Sequence, residues 1–165
     1  MTDQYRISKH AVSAEVSLVG QPAAPLRLFL SAQARTHDGS ERIIDLLNGG
    51  TEAFFPAIDE RGALHILRRD AVLVVTVPAR DADAGAAGLD APAVSGSLTR
   101  AEASVVLDDG TVLSGVIEYV MPESQRRLQD YLNFGEEFLT LRRDGVVHFV
   151  NKRHITRVDA VGGGA

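Results

Sequence analysis

The sequence contains no cysteine. Disulfides, thiolate zinc sites and thiol nucleophiles are therefore excluded. No apolar run approaches the roughly 20 residues of a membrane-spanning helix, and residues 1–12 hold no apolar core of the kind a signal peptide needs. Positive charge is not in excess. The formal net charge is −5, which argues against a general nucleic-acid coat. Catalytic signatures are also missing. There is no Gly-x-Ser-x-Gly elbow, no Gly-rich phosphate loop ending in Lys-Ser/Thr and no His-Glu-x-x-His. What remains fits a folded protein: of 165 residues, 45% are hydrophobic and 24% charged, enough apolar surface for one domain or two small ones.

Two stretches resemble each other, residues 14–77 and 103–161. The first begins Ala14-Glu-Val-Ser-Leu18 and the second Ala103-Ser-Val-Val-Leu107. Each then carries a short helical signal, Asp45-Leu-Leu-Asn48 and Asp130-Tyr-Leu-Asn133. An acidic step into aromatic and aliphatic residues follows, Glu52-Ala-Phe-Phe55 and Glu136-Glu-Phe-Leu139. Each closes on Gly62-Ala-Leu-His65 or Gly145-Val-Val-His148 and an apolar strand. Features matching in the same order point to an internal duplication. Residues 79–97 lie between the copies and are dominated by Ala, Asp, Gly, Pro and Ser. Such a composition buries too little surface to offset chain ordering, so a flexible linker is expected there, and the glycine tail at 162–165 is expected to fray.

The second copy reads most clearly. Residues 103–107 and 112–120 are strands joined by the hairpin signal Asp108-Asp109-Gly110. Leu113, Gly115, Ile117 and Tyr119 share one face, expected to be buried, with Gly115 marking a bend. Leu128, Tyr131 and Leu132 have helical spacing, and Asn133 or Gly135 can end that helix in the left-handed region. Strands at 137–142, 146–150 and 155–161 follow. In the first copy, strands at 17–19, 26–32, 53–58, 64–67 and 72–77 and a helix at 40–48 fill the same slots. Ile117, Leu128, Leu132, Phe138 and Phe149 are expected to form one core.

The segments Val105-Val-Leu-Asp-Asp-Gly110-Thr-Val-Leu-Ser-Gly115-Val-Ile-Glu118 and His148-Phe-Val-Asn-Lys152-Arg-His-Ile155-Thr-Arg-Val158 resemble the two motifs of the Sm-like small β-barrel family. The resemblance covers about 30 residues of the second copy, by count of those motif stretches, and only faintly the first. It implies a small barrel and, through the basic turn, RNA contacts at Asn151, Lys152 and Arg153, with Arg157 nearby. The helix departs from that pattern, since it follows the second strand instead of preceding the first. The first copy has Arg68, Arg69 and Asp70 at the basic turn, so an RNA code is not repeated. The duplicated arrangement is also similar to bacterial domains of no assigned activity.

Among polar residues, His65 and His148 repeat, each three positions after a turn glycine. Two readings stand: a metal or pH-sensitive pair, or packing at strand edges. Asn48 and Asn133 repeat at the helix exits, where Asn suits a left-handed cap. Glu136 and Glu137 are adjacent and would point to opposite faces of a strand, so they make no acid–base pair. The sequence therefore leads to a mainly β protein with short helices (α+β): two tandem ββαβββ small-barrel-like repeats at residues 1–78 and 98–165 joined by a linker at 79–97. The expected role is a cytoplasmic, non-enzymatic interaction or scaffold module, with a protein partner or self-association, no cofactor, no metal and no membrane contact. RNA binding through Asn151, Lys152, Arg153 and Arg157 is the alternative.

Overall fold

Alternating apolar residues in short runs, punctuated by glycine turns, build ten strands and three short helices among the described residues. The computed structural model describes residues 9–32, 39–82 and 97–161. In chain order the elements are β1 (Lys9–Leu18), β2 (Ala24–Ser31), α1 (Ile43–Asn48), β3 (Phe54–Asp59), β4 (Leu64–Arg68), β5 (Val72–Pro78), α2 (Ala79–Ala82), β6 (Ser97–Leu107), β7 (Val112–Met121), α3 (Leu128–Asn133), β8 (Phe138–Arg143), β9 (Val146–Asn151) and β10 (Ile155–Ala160). Single turns of 3-10 helix at Arg69–Ala71 and Lys152–His154 lead into β5 and β10.

All ten strands join one antiparallel sheet in the order β10-β6-β7-β8-β9-β5-β1-β2-β3-β4. The expectation of a mainly β protein holds, but the two tandem small-barrel-like repeats are corrected to one continuous open sheet. The halves merge because β5 pairs with β9, with Val75 opposite Phe149 and Thr76 opposite His148. β10 and β4 are the outermost strands.

The hairpin chemistry follows the turn residues. Asp144 (φ 48°) and Gly145 (φ 76°) both occupy the left-handed region between β8 and β9, as a two-residue hairpin turn demands. Gly115 is needed for a different reason. A Cβ there would lie 2.5 Å from the Arg142 carbonyl oxygen of β8, so only glycine permits the close crossing of β7 and β8.

Two hydrophobic cores form. The first gathers Val16, Leu28, Ile43, Leu47, Val72 and Val75, with Phe138, Val147 and Phe149 from the second half. The second gathers Val105, Ile117, Tyr119, Tyr131, Leu139 and Leu141, with Leu73 and Val74 from the first half. The five residues expected in one core are thus divided. Ile117 lies in the second core with Leu128 and Leu132 against it, whereas Phe138 and Phe149 face the first. The cause is the β5–β9 pairing, which buries both faces of the strands at the junction. β5 consequently reads as an unbroken apolar run, Val72-Leu-Val-Val, with all four side chains buried.

Several boundaries shift. β1 begins at Lys9 and β6 at Ser97, both well before the strands expected from apolar content. Their extra residues pair with β2 and β7 along most of their lengths, so backbone ladders extend them where the side-chain pattern is weak. Within the expected linker, residues 79–82 form α2 and bury Ala82, and Ser97 opens β6. Residues 83–96 and the tail at 162–165 lie outside the described residues. No helix among the described residues is long and apolar enough to cross a membrane.

Candidate functional site

The junction between the halves is where polar side chains are most heavily used. Asn48, at the end of α1, holds the start of β8 through two bonds. Its Nδ2 donates to the Phe138 carbonyl at 3.2 Å, and its Oδ1 accepts from the Phe138 amide at 2.8 Å. The expected left-handed cap does not form, because Asp144 is the one non-glycine residue with positive φ among the described residues. Asn133, at the end of α3, is exposed.

Asn151 is buried, 2% exposed. Its Nδ2 donates to the Val72 carbonyl at 2.9 Å, and its Oδ1 accepts from the Arg153 amide at 3.1 Å. This residue therefore ties β9 to β5 and caps the 3-10 turn. Lys152 folds back over α3. Its Nζ lies 4.3 Å from the centre of the Tyr131 ring and donates to the Tyr131 and Phe134 carbonyls at 3.0 and 3.2 Å. Burial lowers its pKa, partly countered by Glu136. Arg153 faces Asp70 at 3.4 Å and Arg157 faces Asp159 at 2.9 Å. The four residues singled out for RNA are therefore near one another but engaged within the chain.

The two histidines do not meet. β5, β1, β2 and β3 separate β9 from β4 in the sheet. His65 is exposed on β4, and its Nε2 lies 2.9 Å from the Asp59 carboxylate across the hairpin. That contact, with the Ala63 and Arg61 amides, holds Asp59 below its ordinary pKa. His148 Nδ1 lies 2.8 Å from the Thr76 hydroxyl, across the β5–β9 ladder. Burial lowers its pKa, opposed by Glu15. No group of three or more His, Asp or Glu side chains suited to a metal gathers among the described residues.

Sequence reasoning missed His154 and Arg69. His154 Nε2 lies 2.6 Å from the Asp70 carbonyl and Nδ1 2.7 Å from the Asp108 carboxylate. Burial opposes its charged form, but these two acceptors outweigh it and raise the pKa. Arg69 is buried and donates to the Leu46, Leu47 and Glu52 carbonyls, with its guanidinium 5.6 Å from the Phe55 ring centre. It serves the end of α1 as Lys152 serves the end of α3. The signal was present, since both basic residues open a 3-10 turn after a strand.

The surface offers two notable regions. A wide groove of about 710 Å3 runs over β6, β7 and β8. Its charges are matched, with Glu118 between Arg100 at 3.1 Å and Arg142 at 2.9 Å. Its Ser104 and Ser114 hydroxyls bond each other at 2.7 Å, which leaves no serine there facing a histidine base. The other region is the β3–β4 end of the sheet. Phe54, Leu64 and Ile66 are 54%, 62% and 60% exposed there, beside the edge of β4 that pairs with no strand among the described residues. An apolar cluster on an open strand edge is the feature most suited to binding protein. Compared with known proteins, the chain matches no family model, no curated protein and no solved structure.

Proposed function

We propose that the chain is a non-enzymatic protein-interaction module built from two copies of one ββαβββ unit, acting in the cytoplasm through its outer strand edges. The repeat reading is supported by matched registers. Leu28 lies opposite Ala57 and Phe55 opposite Leu67 in the first half; Ile117 lies opposite Leu141 and Leu139 opposite Val150 in the second. Val16 lies opposite Val75, as Val105 lies opposite Val158. Each half orders its strands alike, β5-β1-β2-β3-β4 and β10-β6-β7-β8-β9. Each places its helix after the second strand. The Sm-like resemblance belongs to this proposal as an account of the unit, opened out into a shared sheet.

The observation that carries the function is the exposed trio Phe54, Leu64 and Ile66 on an open strand edge. Such an edge recruits a further strand through backbone bonds, while the side chains set the partner. RNA binding through the basic turn is less well supported, because Asn151 and Lys152 are committed to internal bonds. The test is native mass spectrometry of untagged wild-type protein and of Ile66→Lys, purified from cells that express the chain naturally. Wild type carrying stoichiometric protein, itself or another, that Ile66→Lys loses supports the reading. Both forms free of protein, or wild type carrying RNA instead, overturns it.

A further inference from the structure

The joint between the halves is a worked example of how one unit binds the next, and the two ends of the sheet carry the same parts unused. In the joint, Phe138, Val147 and Phe149 of the second half enter the first core and are 0%, 0% and 2% exposed. By the registers above, their counterparts in the first half are Phe54, Leu64 and Ile66, the exposed trio. The receiving side of the joint is Ile43 and Leu47 of α1 with Val72 and Val75 of β5. Their counterparts are Leu128 and Leu132 of α3 with Ile155 and Val158 of β10. These four line an open groove of about 480 Å3 at the opposite end of the sheet.

The polar parts match as well. Asn48 clamps the backbone of Phe138. Its counterpart Asn133, which follows Leu132 on α3, is exposed, and the counterpart of Phe138 is Phe54. The cross-strand pair Thr76 and His148 corresponds to Asp159 and His65, an acid and a base. Both are exposed, and each pairs with a neighbour in its own half, Arg157 and Asp59.

We propose that a second copy of this chain fills the groove, with β4 of one copy adding antiparallel to β10 of the next in the register of the β5–β9 joint. Val158 then faces Ile66, Asp159 faces His65 and Ala160 faces Leu64 across the contact. This rests on the two-unit reading and names the partner of the exposed edge. Ridge and groove are different surfaces, so the contact is head-to-tail. It leaves one free ridge and one free groove on every growing assembly, which ends only when a ring closes.

The absence of cysteine makes the register directly testable. Directly opposed residues on antiparallel strands lie about 4.5–5.5 Å apart at Cα, within disulfide reach. His65→Cys and Asp159→Cys, prepared separately and mixed under mild oxidation, should give a disulfide-linked pair containing one of each. Neither alone should cross-link. Light scattering should find wild type above monomer mass and Ile66→Lys at monomer mass, with unchanged circular dichroism. The proposal is overturned if wild type stays monomeric at high concentration, if either single variant cross-links to itself as readily as the mixture, or if Ile66→Lys keeps the wild-type mass. A monomeric wild type whose edge binds a different protein, lost in Ile66→Lys, would sink this proposal while leaving the interaction-module reading intact.

Discussion

The His154 ring bridges the two halves, its Nε2 2.6 Å from the Asp70 carbonyl of the first and its Nδ1 2.7 Å from the Asp108 carboxylate of its own. Both partners only accept, so the doubly protonated ring is the form that satisfies both contacts, and the folded state favours imidazolium. The pKa is raised in consequence. A histidine whose folded pKa exceeds its ordinary value of about 6.5 contributes stability that is fully present below that value and fades as pH climbs through the folded pKa. Urea midpoints should therefore decline as pH rises above about 6.5, and His154→Gln should flatten that decline. A wild-type profile that rises over this range would contradict the assignment.

His148 responds in the opposite sense. Burial depresses its pKa, so the folded state favours neutral imidazole bonded to Thr76. That contribution is present above about pH 6.5 and is lost as pH falls toward the depressed value. His148→Gln should blunt acid destabilisation without changing the alkaline limb. Since both histidines act on the same joint, wild type should be most stable between the two losses.

Phe138 and Phe54 offer a matched comparison. Phe138 is fully buried and Phe54 is 54% exposed. Phe138→Ala should cost about 3–5 kcal/mol. Phe54→Ala, measured at a concentration too low for association, should stay within about 0.5 kcal/mol. Equal losses would show that the Phe54 ring is as deeply packed as that of Phe138.

Asn48 and Asn133 divide in the same way. Asn48→Ala strips both partners from the Phe138 backbone, and leaving buried groups unpaired costs about 1–3 kcal/mol each. Asn133→Ala should leave the dilute protein nearly unchanged. Thermal unfolding of the two variants beside wild type decides it.

Lys152→Met keeps an apolar stem over Tyr131 and removes the ammonium. The Tyr131 and Phe134 carbonyls lose the ammonium, while the Tyr131 carbonyl keeps the Phe134 amide at 3.0 Å, so a loss of about 1 kcal/mol is expected. A stability unchanged from wild type, together with lost RNA retention, would reassign Lys152 to a ligand.

Much of each half is readable from local pattern. Gly62, Gly110 and Gly145 mark turns at positive φ, and Leu26, Leu28 and Leu30 alternate as a half-buried strand should. The joint is not readable that way. Asn48 finds Phe138 across 90 residues of sequence, and Asn151 finds Val72 across 79; no local spacing encodes such distances. One clue did exist. Val72 to Val75 are apolar on both faces, which a strand at the edge of a small barrel has no reason to be. The asparagines and histidines at matching sequence positions differ in role because the two halves differ in surroundings. Asn48 and His148 sit at a filled joint, Asn133 and His65 at open ends.

β5 supplies Val72, Val75 and Val77 to one core and Leu73 and Val74 to the other. Neither half can melt without stripping a wall from its neighbour, so calorimetry should record one transition where two autonomous units would give two. The same sharing gives each half the surfaces that recognise the other. Expressed as separate polypeptides, residues 1–82 and 97–165 should find each other and reconstitute the sheet, which would make the chain a natural starting point for a split reporter.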